Sequence, residues 1–138
     1  MAKTFTAPFA QTPKTATAVV TDACGSIAGD TPTNTVKLMT VGTEGAILTR
    51  LWAIPRATVT ASSLVLFISN DSGTTKRLID SELMAAHTVE ATTAVPETVF
   101  DNYNEDTPLR LSAGDELYVG SQVALADGIV FHTEYTEY

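Results

Sequence analysis

Five consecutive apolar residues, Leu64 to Ile68, run into the turn-forming string Asn70-Asp-Ser-Gly73. Successive side chains of a strand point to opposite faces, so this run has no polar side. It predicts a central strand buried on both faces, or one facing a partner. The turn string is a strong reversal signal, and it predicts that Thr74–Ile79 pairs back as a hairpin. A chain containing such a unit has to surround it with further sheet.

The rest of the sequence supplies that sheet. Thr, Ala and Val dominate, and no long stretch has helical periodicity. Stiff, branched side chains fit a pleated surface better than a helix. Alternation and turn signals predict further strands over Thr15–Thr21, Thr35–Val41, Ala46–Ile54, Thr58–Ser69, Thr88–Ala94, Leu109–Leu111, Glu116–Gly120 and Ile129–Tyr135. Pro55 marks an end or a bulge. Cys24–Asn34 and the acidic Asp101–Pro108 read as loops. Asp80–Ala86 is the one short-helix candidate, with Asp80 or Ser81 as its cap. About eight closely spaced strands predict an all-β jelly roll or β-sandwich over residues 15–138. Its expected core is Leu64, Leu66, Phe67, Ile68, Leu109, Leu117, Val119 and Ile129.

Residues 1–14 differ in character from the rest of the chain. Phe5, Pro8, Phe9 and Pro13 are separated by small polar residues, and no acidic residue occurs. Two prolines lack amide donors, so the segment suits an extended arm better than a central strand. Phe5, Pro8 and Phe9 are its candidate protein-contact residues.

With 138 residues the chain is one domain by size and can bury a core without a metal or a disulfide. The single cysteine, Cys24, excludes the disulfide-rich class. No apolar run is long enough to span a membrane, and the segment from Met1 to Phe9 lacks the apolar run of a signal peptide. Synthesis in the cytosol is the expectation. The formal net charge is −8. Residues 1–70 hold five basic and three acidic side chains, so the remainder carries −10. An acidic body argues against a nucleic-acid partner, because phosphate binding needs clustered Lys and Arg.

Chemical motifs are sparse. A Ser-His-Asp site needs a serine on a sharp turn and an oxyanion hole, and no Gly-x-Ser-x-Gly elbow occurs. His132 reads as a surface residue of an alternating strand. One Cys and two distant histidines, His87 and His132, do not make a zinc set. The loop Asp101–Asp106 has the oxygens for calcium but not the spacing of an EF-hand, and reads as a solvated acidic loop. Gly42-Thr-Glu-Gly45 is a lone turn without the lysine of a nucleotide loop. Trp52 fits core packing and surface binding equally well. The chain is therefore expected not to be an enzyme and to need no cofactor or metal.

Three segments carry a family resemblance: "ILTRLWAIPRATVTASSLV" (Ile47–Val65), "LFISNDSGTTKRLIDS" (Leu66–Ser81) and "PLRLSAGDELYVGSQVALADGIVFHTEY" (Pro108–Tyr135). In this order they resemble small jelly-roll capsid decoration, or cement, proteins of tailed bacteriophages, from about Thr12 to the C-terminus. The resemblance implies a virion structural protein on the capsid exterior, made in the host cytoplasm. It implies the major capsid protein as partner, a homotrimeric state, and no nucleic acid, membrane or small-molecule substrate. The alternative is a head-fibre or tail-associated module binding a host glycan or receptor. A cupin-like enzyme is the third reading, disfavoured because cupins use a histidine-rich metal cluster.

Overall fold

The computed structural model describes residue 10 and residues 12–138. The arm residues Phe5, Pro8 and Phe9 lie outside the described residues. Among the described residues nine strands succeed one another in chain order: β1 (Thr12–Val20), β2 (Val36–Thr40), β3 (Ala46–Pro55), β4 (Ser62–Ser69), β5 (Arg77–Met84), β6 (Thr98–Val99), β7 (Leu109–Leu111), β8 (Glu116–Ser121) and β9 (Ile129–Glu137). No helix occurs among the described residues.

The strands form two antiparallel sheets. One has the order β1-β9-β3-β6, with β7 also paired to β3, and the other β2-β8-β4-β5. The chain crosses repeatedly between the sheets in the winding of a jelly roll. The two short strands β6 and β7 share one edge of β3, at Trp52–Ala53 and Ala46–Leu48 respectively. The fold is thus an eight-position jelly roll with one position split between β6 and β7, and β6 is not among the strands read from the sequence.

The main core lies between the sheets. Leu48, Leu51, Leu64, Leu66, Phe100, Leu117, Val119, Ile129 and Phe131 are fully buried there. Ile68 and Leu109 pack at its margin, half-buried. Phe67 is buried elsewhere. With Val65 and Tyr118 it lies on the opposite face of the four-stranded sheet, where Cys24 and Ile27 of the β1–β2 loop cover it. The loop is tied to the sheet by the Cys24 amide, which donates to the Ser121 carbonyl at 2.6 Å. Close approach needs Gly120, since a Cβ there would stand 3.0 Å from the Cys24 Cβ. The apolar run at 64–68 is therefore buried on both faces within its own chain.

The β4–β5 hairpin forms as expected. Ser72 and Gly73 take the left-handed conformation. Ser69 Oγ accepts from the Gly73 amide at 2.8 Å, and the Asp71 carboxylate accepts from the Thr75 amide and hydroxyl at 2.9 and 2.8 Å. These side chains replace backbone partners that a tight turn leaves unpaired.

Three local expectations are corrected. Asp80–Ala86 is not a helix, because Asp80 to Met84 extend β5 and pair along β4 from Ser62 to Leu66. Ladder bonding with a buried neighbour outweighs the weak helical preference of Leu83 and Met84. Thr88–Ala94 forms no strand. It comes after the isolated Val59–His87 bridge and turns at Glu90–Thr93. The first strand starts at Thr12 rather than Thr15, so Thr12 to Lys14, expected in the arm, belong to the sandwich. Pro13 fits because β1 is a sheet edge, where a missing amide costs little.

Candidate interaction surface

The five-stranded sheet has two faces. Alternate residues of β9, from Ile129 to Glu137, are buried towards the core. The residues between them, Val130, His132, Glu134 and Thr136, are half-buried and lie on the outer face. Strand register extends each outward residue into a row across the sheet. Val130 lies between Val19 and Ile54, and His132 lies between Thr17 and Trp52, with Val99 beyond Trp52. Ile47 lies beside Thr136. Val19 is 38% exposed, and Ile54, Trp52, Val99 and Val130 are half-buried. This outer face carries an apolar cluster of Val19, Trp52, Ile54, Val99 and Val130, flanked by Thr15, Thr17, Arg50 and Glu134.

At its centre the polar groups are organised around one ring. The Arg50 guanidinium stands 3.9 Å from the Trp52 ring centre, and the His132 ring centre is 4.1 Å away. Arg50 also donates to Glu97 Oε1 at 3.2 Å. Arg50 lies opposite Glu134 in the register, and Arg110 opposite Ile47. Cation–π contact and ion pairing tether Arg50 over the Trp52 ring. The charges on this face balance: Arg50 and Arg110 against Glu97 and Glu134.

The other sequence candidates separate. Trp52 belongs to the outer face and not to the core. His132 lies at the surface beside it, whereas His87 sits by Val59 in the bridge after β5. Cys24 is buried, and burial pushes its thiol pKa up, which disfavours the reactive thiolate. In the acidic loop, Asn104 Oδ1 accepts from the amides of Asp106 and Thr107 at 2.8 and 3.0 Å. That oxygen thus closes the loop's own turn. Among the described residues no group of three His, Cys, Asp or Glu side chains is placed to hold a metal ion.

A groove of about 380 Å³ runs beside β5 and β6, lined among others by Pro55, Leu83, Glu82, Glu97 and Asp101. Burial, then the charges of Asp80 and Asp101, raise the Glu82 pKa. Among the described residues no serine, cysteine or histidine lines this groove.

Sequence pattern alone does not single out the outer face, because β3 is apolar at both parities. Ile47, Trp52 and Ile54 alternate with Leu48, Leu51 and Ala53, with the bulge between Leu48 and Arg50 resetting the phase. The available signal is that β3 resembles the doubly buried β4 in composition. Which of the two strands a loop covers is a matter of tertiary structure.

No family model and no curated protein matches the chain. Two solved structures are similar to it in fold. The structure of Eiger TNF from S. frugiperda aligns at TM-score 0.43 and 10% identity, over 89% of this chain and 92% of that one. A structure of infectious bursal disease virus Gt strain aligns at TM-score 0.33 and 11% identity, over 93% of this chain and 32% of that one. Scores this low tie the chain to neither protein.

Proposed function

We propose that this chain is a virion structural protein that decorates and stabilises a capsid shell through protein–protein contacts. The observation that carries the reading is the outer face of the β1-β9-β3-β6 sheet, where Val19, Trp52, Ile54, Val99 and Val130 form an apolar cluster on a chain of net charge −8. The segments that resemble phage decoration proteins fall on the framework itself. Ile47–Val65 covers most of β3 and the start of β4, Leu66–Ser81 the hairpin, and Pro108–Tyr135 the last three strands. In this reading the partner is the major capsid protein, the protein sits on the capsid exterior, and Phe5, Pro8 and Phe9 add contacts from the arm. Many identical shell sites let modest contacts act together. Co-sedimentation with undecorated shells tests the reading.

The glycan-binding alternative would draw on Trp52, the aromatic side chain of the outer face. Sugar stacking needs an open ring face, and Trp52 already packs against Arg50 and His132. That arrangement favours a protein surface.

A further inference from the structure

We propose that the groove between β5 and β6 takes an extended segment of another protein, one in which a lysine or arginine shares a face with an apolar side chain. The inference goes beyond capsid decoration and does not depend on it.

The groove is a product of the topology. β5 ends one sheet and β6 ends the other, so the cleft lies between two terminal strands at the open side of the sandwich. Terminal strands keep backbone donors and acceptors that no neighbouring strand uses. Near the middle of β5 the chain's own side chains reach that edge. Asp80 Oδ1 accepts from the Ser81 amide at 2.8 Å and from Asn102 Nδ2 at 3.2 Å. Beyond it, among the described residues, no backbone–backbone bond outside the strand ladders engages residues 82–85 or 96–99. An extended segment laid along such an edge gains main-chain hydrogen bonds, and its alternate side chains enter the cleft.

The lining selects those side chains. Pro55, Leu83, Met84, Pro96 and Val99 supply apolar wall. Leu83 is 72% exposed, more than any other large apolar side chain described, so it is available to a partner. Glu82, Glu97 and Asp101 line the same groove, and among the described residues no Lys, Arg or His does. Glu97 has Arg50 as its partner at 3.2 Å. Burial, then the charges of Asp80 and Asp101, raise the Glu82 pKa, and a hydrogen bond from the Asp101 amide offsets only part of the rise. A cation entering the groove relieves that repulsion, whereas an acidic segment adds to it. The volume of about 380 Å³ is at the low end of the roughly 300–1,000 Å³ of ligand clefts. It has room for a few side chains of a strand and not for a folded domain.

The probe is a fluorescein-labelled peptide in which every second residue is threonine and the residues between are valine and lysine in turn, so that valine and lysine share one face. Fluorescence anisotropy is expected to show saturable binding to the wild-type chain, with Kd raised tenfold or more in Glu82→Gln and in Leu83→Ser. Both residues lie outside the main core, and thermal melts confirm folding. Glu105→Gln removes an exposed charge outside the groove and is expected to leave Kd unchanged. No saturable binding up to millimolar protein overturns the proposal, as does equal binding of a peptide with glutamate for lysine or with an N-methylated backbone. Weakening by Glu105→Gln as large as by Glu82→Gln shows general charge attraction and also overturns it. The competing occupant is the chain's own segment with Lys3, Phe5 and Phe9. Peptide binding that tightens tenfold or more on deleting residues 2–11 would assign the groove to that segment and overturn the partner. A wild-type chain that binds the peptide but not undecorated shells upholds this inference and removes the decoration role; one that binds shells but not the peptide does the reverse.

Discussion

The rings of Trp52 and His132, on the adjacent strands β3 and β9, stand 4.1 Å apart on the solvent side of the sheet. Trp52 is the sole tryptophan of the chain, so its emission reports directly on this face. Large aromatic residues at the centre of an interface commonly contribute about 2 kcal/mol or more to binding. Trp52→Ala is expected to weaken binding to undecorated shells by about 2 kcal/mol while leaving the fold intact. Titration against shells measures the first and a thermal melt the second. A variant that associates as tightly as the wild type removes Trp52 from the interface.

Leu66 is fully buried in the main core, and Ile68 two residues later is only half-buried. Leu66→Ala is expected to cost about 2–5 kcal/mol in denaturant unfolding. Ile68→Ala is expected to cost less. A Leu66 loss below about 0.5 kcal/mol would contradict the packing described.

Gly120 and Cys24 make the second prediction about packing. Valine at 120 places its Cβ against the Cys24 side chain, and overpacking of this kind costs about 1–3 kcal/mol. The β1–β2 loop is expected to lift from Phe67 and Tyr118. A thiol reagent should then label Cys24 in Gly120→Val much faster than in the wild type. Equal labelling rates in the two proteins would show that the loop does not depend on this contact.

The hairpin and the closing strands are legible in the sequence because their signals are local. The turn at 70–73 and the alternation of Ile129–Tyr135 need no distant partner to be read. The second half of β5 is not legible, since Leu83 and Met84 take an extended form only through pairing with Ser62 and Ser63 of β4. The doubly apolar run at 64–68 signals burial on both faces, but its cover comes from a loop far earlier in the chain. For Trp52 the pattern is ambiguous in principle, because either parity of β3 would face an apolar environment. The start of β1 is hard to place because Pro13 argues against a strand unless that strand is known to be an edge.

Glu137 links three parts of the fold. Its carboxylate pairs with Lys14 of β1 and accepts from the Gly42 amide after β2. These partners, with the Lys14 hydrogen bond foremost, hold its pKa below the ordinary 4.5. Glu116 is lowered in the same sense, chiefly by Lys37. A carboxyl with a depressed folded pKa contributes stability above its unfolded pKa, and that contribution fades as pH falls through the folded value. Stability is therefore expected to decline from about pH 4.5 downward. Glu137→Gln should be less stable than the wild type at neutral pH and should lose less on acidification, as read from denaturant midpoints across the acid-to-neutral range. Parallel curves for the two proteins would show that Glu137 does not carry this dependence.

Capsid decoration is tested most directly by mixing the purified chain with undecorated shells and sedimenting the mixture. Deleting residues 2–11 removes Phe5, Pro8 and Phe9 and stops short of β1, which begins at Thr12. The wild-type chain is expected to pellet with shells to a saturating ratio. The truncated chain is expected to keep its thermal midpoint and bind at least tenfold more weakly, a loss of about 1.4 kcal/mol or more. Full binding by the truncated chain would remove the arm from the interface. A wild-type chain that stays in the supernatant at every shell concentration would contradict the decoration role itself.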